Sequence, residues 1–141
     1  MTPLGTVAVL HKRRESATGT QVTHLVGDVA GKPCLLVDDM ITTGGTLASG
    51  IEALLKAGAR PDLTIAATHG LLLAGAREKL MHGAVRKVLI TDTVAGVQKD
   101  WPNLQIVSIA PVIAGALKRL LEHRSLGDLY WPMVMAEITR A

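Results

Sequence analysis

The sequence has very few aromatic side chains and only one cysteine. It contains no Phe, two Trp and one Tyr, and Cys34 is the single cysteine. A single cysteine excludes an internal disulfide, and the apolar run that Cys34 opens favours a small buried hydrophobe over a nucleophile. Because 48% of the residues are hydrophobic but few carry rings, the core must be built from Leu, Val, Ile and Ala. Such a core is typical of proteins in which strands and helices alternate.

Other features that the sequence lacks limit the kinds of ligand and partner that we expect. No apolar run is long enough to span a membrane, and the N-terminus lacks the basic-then-apolar layout of a signal peptide. These features predict a cytoplasmic protein. The net charge of +3 is modest, and the basic residues are scattered apart from the triplet Lys12-Arg13-Arg14. With almost no aromatic rings to stack on bases, we expect a small anionic ligand, no nucleic acid and no membrane.

Strand-like and helix-like segments alternate along the 141 residues, a length typical of one domain. The patterns predict strands at 6–10, 25–29, 33–37, 63–68, 85–91 and 105–109. They predict helices at 47–57, 73–81 and 111–122. The polar stretch 12–23 has no clear period and is predicted to be a loop that is mobile without ligand. The alternation indicates an α/β domain over residues 1–130, three-layered with a mainly parallel sheet, followed by a C-terminal tail at 131–141.

The stretch LLVDDMITTGGTL, residues 35–47, ends a buried apolar run on two adjacent carboxylates, Asp38 and Asp39. Ligands of open parallel sheets bind beyond the carboxyl ends of the strands, and we expect these carboxylates to emerge there. A helix is expected to begin near Thr46, and the N–H groups of its first turn attract anions. Glycine backbone and threonine hydroxyls would complete a phosphate cradle, formed by Thr42, Thr43, Gly44, Gly45 and Thr46.

The two carboxylates are the second half of this candidate site. Carboxylates accept hydrogen bonds from hydroxyl groups and bind Mg²⁺ directly or through water. A phosphate at one end and vicinal hydroxyls at the other describe a sugar phosphate, and ribose 5-phosphate has the length to join the two halves. Neither the Walker glycine loop nor the dinucleotide glycine fingerprint occurs in the sequence. The alternative is a tight strand–helix connection in which Asp39 or Thr42 merely caps the helix.

Several segments resemble one family. VDDMITTGGTL resembles the phosphoribosyl-pyrophosphate (PRPP) motif shared by the type I phosphoribosyltransferases and the ribose-phosphate pyrophosphokinases, or PRPP synthetases. HKRRES at 11–16 resembles the catalytic flexible loop of the synthetases. Later segments resemble the synthetases in the same order, namely HLVGDVAGKPCLLVDDM at 24–40, AATHGLL at 66–72, LITDTV at 89–94 and VSIAPVIAGALKRLLEHRSLGDLY at 107–130. The resemblance therefore covers nearly the whole chain.

The resemblance implies a phosphoribosyltransferase-like fold and the C-terminal half of a homo-oligomeric enzyme. That enzyme transfers a pyrophosphoryl group from ATP to O1 of ribose 5-phosphate, with Mg²⁺, and so forms PRPP. By position, Lys12 and Arg14 would be catalytic, and Arg14 would also contact ribose 5-phosphate. The remaining sugar-phosphate ligands would be Asp38, Asp39, Thr42, Thr43, Gly44, Gly45 and Thr46.

The sequence departs from the family's pattern in three ways. His11 replaces the Asp that usually precedes Lys12, and Thr42 replaces the Asp that usually follows Met-Ile in synthetases. The half of the family's enzyme that carries most of its ATP-binding residues is missing, so the chain is either a fragment or a free-standing half. Two alternatives stay open, a phosphoribosyltransferase that consumes PRPP and a non-catalytic partner module that binds sugar phosphate. His69 and Asp92-Thr93 also follow strands, where they either touch substrate or serve the turns.

Overall fold

The computed structural model describes residues 7–15, 20–97 and 100–129. They fall into two compact units, residues 1–107 and residues 108–141, and each is described here by itself. In chain order the elements are β1 Val9–Glu15, β2 Thr20–Val26, β3 Cys34–Ile41, α1 Gly45–Lys56, β4 Leu63–Gly70, α2 Ala76–Leu80, β5 Val85–Thr91, β6 Leu104–Val107 and α3 Ala110–Leu121. The domain boundary predicted at residue 130 and the tail at 131–141 lie outside the described residues and stay predictions.

The first unit is built on a four-stranded parallel sheet with the order β3-β4-β5-β6. This confirms the α/β class and the parallel sheet. Because the strands follow one another in chain order and such crossovers are right-handed, α1 and α2 belong to the same face of the sheet. In agreement, α1 contacts both α2 and β3.

The core lies under α1, whose buried residues Leu47, Ile51 and Leu54 recur at helical spacing. The opposite face of β3 is open within this unit, since Leu35 is 61% exposed and Val37 is 67% exposed. The described helices of residues 7–107 therefore supply one covering layer, and the second helical layer of the expected three-layer arrangement is not formed by them.

The predicted loop at 12–23 is wrong in part. β1 and β2 pair as an antiparallel hairpin in which Lys12 is opposite Thr23 and Arg14 is opposite Gln21. Residues 16–19, at the centre of the predicted loop, lie outside the described residues. The polar sequence conceals the hairpin because its stability comes from backbone pairing between two segments, which neither segment's own periodicity reveals.

Helix α2 is shorter than the predicted helix at 73–81, and it begins only after Gly75, whose φ is 82°. The left-handed φ values at Leu72 and Gly75 interrupt a right-handed helix, and hydrogen bonds to the β3–α1 loop hold the segment in this conformation. The N–H groups of Leu71 and Leu72 donate to the Ile41 carbonyl at 2.9 Å and 3.1 Å, and Leu72 adopts the left-handed region with φ 47°. By contrast, α1 and α3 begin and end close to the predicted positions.

The described part of the second unit, residues 108–129, contains α3 and a short 3-10 turn, Gly127–Leu129. A proline stands at the start of α3, where its missing N–H has no helical acceptor. His123 follows the helix with φ 54°, and its N–H donates to the Leu120 carbonyl at 3.1 Å, which ends the helix. Across the described part of the chain, no helix combines the length and the hydropathy needed to cross a membrane.

Candidate sugar phosphate site

The loop between β3 and α1 forms a cavity of about 360 Å³. It lies beyond the carboxyl end of β3, as the sequence predicts for a ligand site in a parallel sheet. All five residues of the predicted cradle line it, and so do neighbouring residues at both ends of the loop: Met40, Ile41, Thr42, Thr43, Gly44, Gly45, Thr46, Leu47 and Ser49. The structure therefore brings the predicted phosphate ligands together.

Three successive carbonyl groups of this loop are bonded to the segment 71–79. The Ile41 carbonyl accepts from the two leucine N–H groups described above, and the Thr42 carbonyl accepts from Leu73 N–H at 2.9 Å. The Thr43 carbonyl accepts from the ammonium of Lys79 at 2.9 Å. In a trans peptide the N–H points opposite to the carbonyl of the same unit. The N–H groups of residues 42–44 therefore point away from segment 71–79, on the side of the cavity.

The N–H groups of residues 42–46 make no hydrogen bond to any other part of the chain that the structure describes. The first bond of α1 runs from Ala48 N–H to the Gly44 carbonyl at 2.9 Å, and no described side chain caps the helix. The alternative in which Asp39 or Thr42 caps α1 is therefore wrong. A row of unpaired N–H groups at the positive end of a 12-residue helix is a site for an anion.

Glycine occupies the two positions of the cradle, 44 and 45, for different reasons. Gly44 has φ 71°, and a Cβ there would meet Leu80 Cγ at 3.5 Å and Ala76 Cα at 3.6 Å, so it faces α2 and is needed for its backbone conformation. At Gly45 the backbone has no positive φ, and an added Cβ would meet only Thr43 Oγ1, at 3.8 Å. Since glycine in a helix costs about 1 kcal/mol relative to alanine, nothing within the protein favours it there. The space at Gly45 is therefore available to a ligand.

The two carboxylates lie within β3, which extends through Ile41, and not beyond the end of the strand. Consecutive strand residues point to opposite faces, and the exposures agree, since Asp38 is half-buried and Asp39 is exposed. Asp38 lines a second cavity of about 130 Å³ together with Leu10 and Thr46. The structure thus joins Asp38 to the cradle, whereas Asp39 belongs to the other face of the strand.

The oxygen ligands near the cradle suit Mg²⁺ only when a bound substrate supplies further ligands. Among the described residues, no three metal-ligating side chains form a cluster. Magnesium is usually bound by one or two carboxylates, with water and substrate oxygens completing its shell. The Asp38 carboxylate fits a cation shared with a bound substrate, and the described residues do not form a site made of protein ligands alone.

The predicted catalytic residues Lys12 and Arg14 lie on β1. Leu10 of the same strand lines the smaller cavity with Asp38, so β1 passes beside Asp38 and the two basic residues follow along the strand. Their roles stay predictions.

A polar cluster joins the ends of β4 and β5. His69 Nδ1 lies 2.8 Å from Thr93 Oγ1, and the hydroxyls of Thr91 and Thr93 lie 2.6 Å and 3.0 Å from the Thr68 carbonyl oxygen. Every group is satisfied if both hydroxyls donate to that carbonyl and the Nδ1–H of His69 donates to Thr93, which leaves Nε2 as an acceptor. Sequence analysis singled out His69 and Thr93 separately, and the structure joins them.

Sequence analysis missed Lys79. It is 36 residues from its partner Thr43, and no spacing or motif connects the two. A lysine in a short exposed helix is an ordinary surface residue by pattern, so only the fold could reveal this contact.

The chain is similar to known proteins over most of its length. Residues 7–131 match the family described as the phosphoribosyl synthetase-associated domain. The chain is similar to the ribose-phosphate pyrophosphokinase of Bifidobacterium longum, with 42% identity over 129 residues, and to that of Corynebacterium glutamicum, with 41% over 126. These matches cover 89% and 88% of this chain but 38% of each relative.

The fold is also similar to a solved structure. The crystal structure of phosphoribosylpyrophosphate synthetase from Mycobacterium smegmatis matches with a TM-score of 0.67 and 40% identity, over 82% of this chain and 37% of that one. The chain thus spans little more than a third of the length of the proteins it matches. This share does not support the expectation that the chain is their C-terminal half, which stays a hypothesis.

Proposed function

Because the chain belongs to the family of the phosphoribosyl synthetase-associated domain, that of the ribose-phosphate pyrophosphokinases, we propose that it binds ribose 5-phosphate for pyrophosphoryl transfer. In the complete enzyme the group would pass from ATP to O1 of the sugar. The observation that carries this proposal is the row of unpaired N–H groups at residues 42–46 around the cavity beyond β3. Such a row complements the charge and the oxygen acceptors of a phosphate monoester.

Each part of the site has a distinct role in this proposal. The N–H groups and hydroxyls of residues 42–46 bind the 5-phosphate. The Asp38 carboxylate accepts from ribose hydroxyls or holds Mg²⁺, whereas Asp39, on the other face of β3, is retained as a sugar-phosphate ligand on the resemblance alone. Magnesium, when bound with substrate, would neutralise charge on the phosphate oxygens.

Lys12 and Arg14 are proposed to stabilise the charge that develops on the transferred group. Pyrophosphoryl transfer depends on positioning and on cations more than on covalent chemistry, so basic residues near O1 would act on the transition state. The proposal rests on the resemblance of HKRRES to the family's catalytic loop. Arg14 is also retained as a ligand of the sugar phosphate.

The chain accounts for 38% of its relatives, so synthesis of PRPP is proposed only for the complete, homo-oligomeric and cytoplasmic enzyme. We keep the hypothesis that this chain corresponds to the C-terminal half, with ATP bound largely by the other part. The short span also favours a second candidate function, a non-catalytic module that binds sugar phosphate and assembles with a full-length enzyme.

The test of the cradle is Gly45→Ala, because a methyl group there enters ligand space without a clash in the protein. We expect the dissociation constant for ribose 5-phosphate to rise by about 10-fold or more, since close approach to the N–H groups is lost. The free energy of unfolding should stay unchanged or rise, by at most about 1 kcal/mol. Isothermal titration calorimetry and urea unfolding measure the two quantities.

Gly83→Ala is the matched control, because a Cβ at Gly83 meets nothing within 4 Å and the residue lies outside the cavity. It should bind ribose 5-phosphate like the wild type. Free ribose, which lacks the phosphate, should bind far more weakly to every variant. Equal affinity of wild type and Gly45→Ala for ribose 5-phosphate would place the anion elsewhere.

A further inference from the structure

The peptide unit between Thr43 and Gly44 is held differently from its two neighbours. The preceding carbonyls, those of Ile41 and Thr42, accept from backbone N–H groups of Leu71, Leu72 and Leu73. The Thr43 carbonyl accepts from a side chain instead, the ammonium of Lys79 at 2.9 Å. The orientation of this one unit therefore depends on a group that substitution can remove.

Local sterics do not fix this peptide unit. Its second residue is Gly44, with φ 71°, and glycine adopts positive and negative φ with similar ease. A rotation of the peptide would exchange the directions of the Thr43 carbonyl and the Gly44 N–H. The carbonyl oxygen would then face the cavity and repel an anion. The bond from Lys79 opposes this rotation.

Lys79 also brings a positive charge to the loop. It is exposed and makes no salt bridge with the carboxylates of the described residues. The hydrogen bond from an ammonium to a carbonyl is charge-assisted, and such bonds are stronger than those between neutral groups. The backbone that precedes α2 is itself strained, because the buried Leu72 has φ 47° while its N–H reaches the Ile41 carbonyl. Strain of this kind persists where surrounding contacts impose it, often beside functional sites.

We propose that Lys79 is a positioning residue of the phosphate site: it holds the Thr43 carbonyl away from the cavity and thereby aims the Gly44 N–H at the anion. This role rests on the proposed binding of ribose 5-phosphate at residues 42–46. Segment 71–79 then acts as the support of the cradle, with three backbone hydrogen bonds and one side-chain hydrogen bond.

The test compares Lys79→Met and Lys79→Arg with Lys87→Met. Lys87 is a matched control, because it is an exposed lysine whose ammonium also makes one hydrogen bond, 3.0 Å to Gln105 Oε1, and neither residue lines the cavity. For Lys79→Met we expect the dissociation constants of ribose 5-phosphate and inorganic phosphate to rise by about 10-fold, the effect of losing one charge-assisted bond. Lys79→Arg should restore binding to within about 3-fold, since it keeps the charge and the donors. Lys87→Met should bind like wild type.

A second readout separates positioning from charge. The amide resonance of Gly44, recorded by NMR without ligand, should shift in Lys79→Met and return towards its wild-type position in Lys79→Arg. The binding loss should also persist at about 0.5 M salt, where attraction between exposed charges is largely screened. A loss that vanishes in salt with an unmoved Gly44 resonance would show a purely electrostatic effect and overturn the positioning role.

The outcomes distinguish this inference from the proposed function. Wild-type protein that binds neither ribose 5-phosphate nor inorganic phosphate would overturn both. Wild-type protein that binds while Lys79→Met binds equally well, with an unchanged Gly44 resonance, would overturn the role of Lys79 alone. Circular dichroism of each variant verifies that the fold is retained, and rescue by arginine excludes a general loss of structure.

Discussion

Cys34 shows how one residue's surroundings decide its chemistry. It is half-buried at the start of β3 and packs against the core, and its Sγ donates weakly to the Lys32 carbonyl at 3.6 Å. Burial raises the pKa of the Cys34 thiol, and the nearby charge of Lys32 offsets this only in part. The thiolate is the reactive form, so the structure agrees with the prediction of a packed hydrophobe.

We expect Cys34 in the folded protein to react with an aromatic disulfide reagent at neutral pH about 10-fold more slowly than in the unfolded chain. Since the pKa is raised, the thiolate forms only at higher pH, and the rate profile of the folded protein should be displaced to higher pH. Stopped-flow absorbance with and without denaturant measures both profiles. Superimposable profiles would argue against the effect of burial.

At the scale of elements, β4 and β5 pack closely where they approach the site. Gly70 is buried at the end of β4, and a Cβ there would lie 2.5 Å from Ile90 Cδ1 and 2.8 Å from its Cγ2. Ile90 is 1% exposed, so it has little room to move. The same end of β4 carries His69, so this packing also fixes the polar cluster with Thr93.

We expect Gly70→Ala to lower the free energy of unfolding by about 1–3 kcal/mol, the usual cost of overpacking a well-packed core. Gly83→Ala is the control, since a methyl group there meets open space, and it should change the free energy by less than about 0.5 kcal/mol. Urea unfolding followed by circular dichroism compares the two. Equal stability of both variants would mean that β5 moves to accept the methyl group.

At the scale of the whole molecule, two features stand out. One face of the sheet exposes apolar side chains, and the chain covers little more than a third of the length of its relatives. Leu35 and Val37 expose most of their surface on the face of the sheet opposite α1, within residues 7–107. The chain also covers only 38% of its relatives. Both observations are compatible with the proposal that this chain acts together with further protein.

We expect the isolated 141-residue chain to bind ribose 5-phosphate and yet form no measurable PRPP from ATP and ribose 5-phosphate with Mg²⁺. The reason is that the chain covers 38% of the Bifidobacterium longum relative, and we propose that ATP is bound largely by the remaining part. Ion-exchange chromatography of the products measures synthesis, and the full-length Bifidobacterium longum relative is the positive control for the assay. Robust turnover by the isolated chain would contradict this expectation.

The sequence by itself determined the strand–helix alternation, the parallel sheet and the position of the cradle at residues 42–46. These features are local, because apolar periodicity and a glycine- and threonine-rich loop before a helix act over a few neighbouring residues. The family could be identified for the same reason, since its motifs are short and follow in order. The separate faces of Asp38 and Asp39 needed one further fact, that β3 continues through Ile41.

Only the tertiary structure decided the hairpin of β1 and β2, the shortened α2 and the contact of Lys79 with Thr43. The hairpin depends on pairing between two segments, and the other two features depend on partners far apart in the chain, since 36 residues separate that lysine from its carbonyl. Local propensity favoured a longer helix from residue 73, but Gly75 adopts φ 82° and the segment before it is bonded to the loop's carbonyls, so the helix begins only at Ala76. These carbonyls find their partners only in the packed fold, and that pairing prevails over local helix propensity because a buried polar group left unpaired costs more than a helical turn contributes.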